Sequence, residues 1–98
     1  MSEIDINKLR DYFSTTLVEK AWLFGSYARG EETTESDIDI LISIPEGKNF
    51  SLLKHAEMMV ELEDLVSRQV DIVRTGTIYP EIASKIEKDK ILIYERVG

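Results

Sequence analysis

The run DIDILISI at 37–44 most narrows what this chain can become. Its strict period of two sends Ile38, Ile40, Ile42 and Ile44 to one side of a strand, and Asp37, Asp39, Leu41 and Ser43 to the other. Four branched apolar side chains on one side need a sheet face covered by other elements. The opposite side sets two carboxylates next to each other. Like charges at that spacing raise each other's pKa and oppose folding unless something positive neutralises them. A divalent cation is the simplest remedy. Mg²⁺ suits a site with few protein ligands, because it accepts one or two carboxylates and completes its shell with water and substrate phosphates.

Upstream, AWLF at 21–24 reads as a short strand, apolar enough to be buried on both faces, with Trp22 in the core. A tight polar turn follows at Gly25 and Ser26, where free backbone N–H groups and a hydroxyl can cradle phosphate oxygens. Arg29 is the cation nearest that turn. It reads equally as a phosphate or substrate contact and as the solvent-exposed partner of Glu31, Glu32 or Glu35. Turn and carboxylates together imply a metal–nucleotide site.

Gly25-Ser26, ten intervening residues and then Asp37-Ile38-Asp39 resemble the signature of the DNA polymerase beta-like nucleotidyltransferase superfamily. The short length and the GSYARG segment are most similar to the minimal nucleotidyltransferases of prokaryotes, many of which are the antitoxin halves of HEPN-MNT toxin–antitoxin pairs. The family carries a third carboxylate on a later strand, and Asp71, within QVDIVRT, fits it. The resemblance implies an α+β (α/β) fold, with a mixed three- to four-stranded sheet and flanking helices. It also implies two Mg²⁺ ions on Asp37, Asp39 and Asp71, ATP as substrate held at Gly25, Ser26 and Arg29, and AMP transfer to a tyrosine hydroxyl of a HEPN ribonuclease toxin. Two other readings share the core. One is a catalytically silent antitoxin that masks its toxin. The other is a small-molecule, aminoglycoside-type nucleotidyltransferase, which would call for an additional helical domain.

Ninety-eight residues suffice for a single domain over 1–98. Hydrophobic residues at 43% and charged residues at 32% are a soluble globular balance. The formal charge of -7 weighs against nucleic-acid binding, which draws its affinity from Lys and Arg on phosphates. Without cysteine there is neither a disulfide framework nor a thiolate metal site. No apolar run suits a membrane span or signal peptide, so a cytoplasmic location is the default expectation.

Elsewhere, Ile6, Leu9, Tyr12 and Phe13 fall at helical spacing behind an Asp5 N-cap. Ser51 caps a helix running to Val66, whose expected core stripe is Leu52, Ala56, Met59 and Val60. Met58, Leu62 and Leu65 form a second stripe, either buried in turn or offered to a partner. His55, the sole histidine, reads as structural. That helix serves as the crossover to a parallel strand at 69–74, which brings Asp71 beside Asp37 and Asp39. A last helix begins near Thr77, with Pro80 in its first turn and Ile82, Ala83 and Ile86 inward. Lys85, Lys88 and Lys90 near its end suit the helix dipole rather than a binding patch. KILIY at 90–94 reads as a final edge strand.

Overall fold

The computed structural model describes residues 5–31, 33 and 36–96. The elements run α1 (Ile6–Phe13), β1 (Lys20–Phe24), α2 (Gly25–Arg29), β2 (Ile38–Ser43), α3 (Leu52–Val66), β3 (Val70–Arg74), α4 (Pro80–Asp89) and β4 (Ile91–Glu95). The four strands form one mixed sheet in the order β3-β2-β1-β4, so β4 lies at an edge as expected. β1 pairs antiparallel with β2 and β4, while β2 and β3 are parallel, joined by α3.

One sheet face is the core. The register aligns Ala21 with Ile42, Leu23 with Ile40, Ile38 with Val70 and Ile40 with Ile72, so the apolar sets of three strands share a side. Leu9 and Phe13 of α1 and Met58 and Leu62 of α3 join the same cluster, with Val18, Phe50 and Ile93. α1 and α3 also contact each other. Local chemistry fixes the helix starts: the Asp5 carboxylate accepts from the N–H groups of Asn7 and Lys8, and the Ser51 hydroxyl accepts from Lys54 N–H.

Several expectations need correcting. α3 turns its Met58 and Leu62 stripe inward, with Leu65 and Val66 partly buried, while Leu52, Leu53 and Val60 are exposed. The helix is apolar on several sides, so its own periodicity could not choose a face; contact with β3 and α1 does. β1 alternates instead of being buried twice, with Ala21 and Leu23 inward and Trp22 only partly buried. The Lys90 ammonium lies 4.5 Å from the Trp22 ring centre, a cation–π contact that suits a ring open to solvent on one side. α4 begins at Pro80, not near Thr77, because Pro is preorganised for the first helical position; Ile86 is buried and Ile82 is half-exposed.

Candidate active site

The site forms where β1 ends and β2 and β3 begin. Phe24 pairs with Asp39 across the antiparallel ladder, and Asp39 with Asp71 across the parallel one. Equal strand parity sends Asp39 and Asp71 to the face opposite the core. Asp37 precedes β2 by one residue and shares that parity, one step short of the expected strand start. Asp37 and Asp71 are exposed, and Asp39 is half-buried.

Burial raises the pKa of the Asp39 carboxyl, the charge of Asp71 raises it further, Asp37 adds to the rise, and Arg29 opposes it. Asp71 and Asp37 thus both bear on Asp39. Among the described residues, however, no group of three His, Cys, Asp or Glu side chains stands close enough together to hold a metal ion between them. The donor set still fits a hard cation. Its oxygens are carboxylates, their mutual repulsion is relieved by positive charge, and Mg²⁺ completes its shell with water and phosphate rather than with protein groups.

Gly25 opens α2 with φ +74°, a conformation L side chains rarely adopt. A Cβ there would collide with Asp39 Oδ2. The turn is therefore glycine for two reasons, backbone conformation and the close approach of the Asp39 carboxylate. Ser26 lies in the first turn of α2, and Gly30 ends that helix in the left-handed conformation. The break expected at Gly30 is present.

Arg29 is held by Glu31 (Nε to Oε1, 2.9 Å) and by Asp89 of α4 (Nη1 to Oδ2, 3.2 Å). Glu31 is one of the three partners the sequence offers; Glu32 and Glu35, the other two, lie outside the described residues. Asp89 was missed, since sixty residues separate it from Arg29 and no local pattern links them. His55 stands beside Phe50, ring centres 6.0 Å apart, on α3 and not at the carboxylates.

Residues 7–97 match the family model described as Polymerase beta, Nucleotidyltransferase. The chain belongs to this nucleotidyltransferase family. A provisionally named protein adenylyltransferase of Methanocaldococcus jannaschii is 39% identical over 74 residues, covering 76% of this chain and 77% of the other. The protein adenylyltransferase MntA of Thermococcus cleftensis is 35% identical over 86 residues, covering 88% and 82%. A tri-AMPylated Shewanella oneidensis HEPN toxin in complex with its MNT antitoxin provides a structural neighbour with a TM-score of 0.71 and 17% identity, covering 93% of this chain and 70% of that one. That likeness is one of fold. The mixed four-stranded sheet and flanking helices are those expected of a polymerase beta-like nucleotidyltransferase, and the minimal nucleotidyltransferase resemblance holds.

Proposed function

We propose that this nucleotidyltransferase transfers AMP from ATP to a tyrosine hydroxyl of a HEPN-type toxin and so acts as its antitoxin. The observation that carries the chemistry is the register that sets Asp39 opposite Asp71, with Asp37 two residues from Asp39, at the strand end next to Gly25 and Ser26. The sequence relatives named protein adenylyltransferases support a protein acceptor, and a HEPN toxin is the acceptor that the toxin–antitoxin structure of like fold suggests.

Asp37 and Asp39 are the residues to hold two Mg²⁺ ions, with Asp71 completing the shell of one. Bound there, the metal lowers the charge barrier between the acceptor oxygen and the triphosphate. Asp71, exposed on the strand beside Asp39, takes the proton from the tyrosine hydroxyl. The phenolic oxygen bonds to the α-phosphorus, the bond from α-phosphorus to the bridging oxygen breaks, and pyrophosphate leaves. Gly25 and Ser26 hold the β and γ phosphates through N–H groups and a hydroxyl.

The test uses ATP labelled at the α-phosphate, or separately at the γ-phosphate, with Mg²⁺, this protein and its candidate toxin. Label from the α position alone should appear on the toxin and vanish with Asp39→Asn. A stable one-to-one complex without transfer would instead establish a masking antitoxin. Transfer to a small molecule would remove the protein acceptor.

A further inference from the structure

α2 and α4 are in contact, and between them opens a cleft of about 200 Å³. Phe24 and Ile86 supply apolar wall, while Gly25, Arg29, Lys85 and Asp89 give it a polar margin. Gly25 is the hinge between this cleft and the carboxylates, because the same residue packs against Asp39. The cleft therefore continues the candidate active site on the side away from Asp71.

Its two cations differ in their commitments. Arg29 is already bonded to Glu31 and Asp89. Lys85 is exposed and has no ion pair among the described residues. It also lies before the last turn of α4, where Lys88 is the basic residue, so the helix dipole gives Lys85 little to do. In a chain of net charge -7, an uncommitted ammonium bordering the glycine turn is a local exception to the prevailing sign.

We propose that Lys85 is a positioning residue for the nucleotide, binding the β and γ phosphates of ATP at the mouth of the α2–α4 cleft. A lysine is a compact charge with three donors on a flexible stem, suited to following phosphate oxygens that also carry metal. Arg29 assists once its bond to Glu31 yields to the incoming phosphate, and Asp89 keeps the guanidinium at the cleft. The inference rests on the nucleotidyl-transfer reading and adds to it the residue that grips the leaving pyrophosphate.

The test is equilibrium binding of ATP and of AMP, both with Mg²⁺, to the full chain and to Lys85→Gln, Lys85→Arg and Lys88→Gln, followed by the steady-state parameters of transfer. Loss of one charge-assisted bond predicts ATP binding about tenfold weaker in Lys85→Gln. AMP binding should not change, Lys85→Arg should recover most of the loss, and Lys88→Gln should match the parent. KM for ATP should rise by a similar factor. Equal weakening of ATP and AMP, equal effects at Lys85 and Lys88, or no effect at Lys85 would each overturn the assignment. Failure of the parent protein to bind ATP would instead overturn the nucleotidyl-transfer reading beneath it.

Discussion

Asp39 concentrates the conflict between folding and chemistry at a single residue. Its raised pKa means that the folded chain holds a proton on this carboxyl at a pH where the unfolded chain has lost it. Stability linked to Asp39 is therefore present at low pH and declines as pH rises from the ordinary carboxylate value through the raised one. At neutral pH the ionised side chain destabilises the fold. Asp39→Asn should melt no lower than the parent, and its advantage should grow between pH 4 and 7, while transfer falls at least about 100-fold. Mg²⁺ should raise the melting temperature of the parent by mass action and leave that of the variant unchanged. A variant that melts well below the parent at pH 7 would sink this account. Gly25→Ala tests the same carboxylate from the other side. The new Cβ would meet Asp39 Oδ2, the movable end of a side chain, so the protein should still fold, weakened by about 1–2 kcal/mol for left-handed backbone. Because Asp39 has to swing aside, Mg²⁺ should no longer stabilise the variant. Normal metal binding by Gly25→Ala would show that the close approach is incidental.

At the scale of elements, α3 separates what sequence pattern can decide from what it cannot. Its existence, its Ser51 cap and its service as crossover between β2 and β3 follow from local chemistry. Its inward face does not, because Leu52 and Val60 are as apolar as Met58 and Leu62, and only the position of β3 and α1 tells them apart. Leu62→Ala should cost about 2–5 kcal/mol in a denaturant titration, since the side chain is fully buried. Leu52→Ala should stay within about 0.5 kcal/mol of the parent. A reversed order would restore the original choice of stripe. β2 and β3 were the more legible elements, because period two leaves one answer once a single face is apolar: the Asp39–Asp71 register follows from aligning Ile38 and Ile40 with Val70 and Ile72. Contacts such as Arg29 to Asp89, and the cleft that Lys85 borders, depend on how α4 returns against α2. No spacing in the chain encodes that.

For the whole molecule, the sign of the charge decides which acceptors can approach. Nineteen acidic residues against twelve basic ones leave no general attraction for a polyphosphate backbone, and the phosphate contact proposed above rests on the local charges of Arg29 and Lys85 beside the glycine turn. A nucleoside triphosphate is small enough to use such a spot, whereas DNA or RNA extends its charge along the acidic surface around it. Proteins that bind nucleic acid non-specifically do so with dissociation constants of about 10⁻⁴–10⁻⁶ M at physiological salt, through several Lys and Arg contacts. This chain should fall short of that range. A mobility-shift titration with single-stranded RNA and with duplex DNA, at roughly 0.15 M salt, should show no complex at protein concentrations up to about 100 µM. The same preparation should bind ATP with Mg²⁺. A complex with either polymer, weakening steeply as salt rises, would expose a basic track that the net charge conceals. It would bring nucleic acid back among the acceptors and remove the electrostatic reason for preferring a protein, which presents its own complementary surface to the carboxylates.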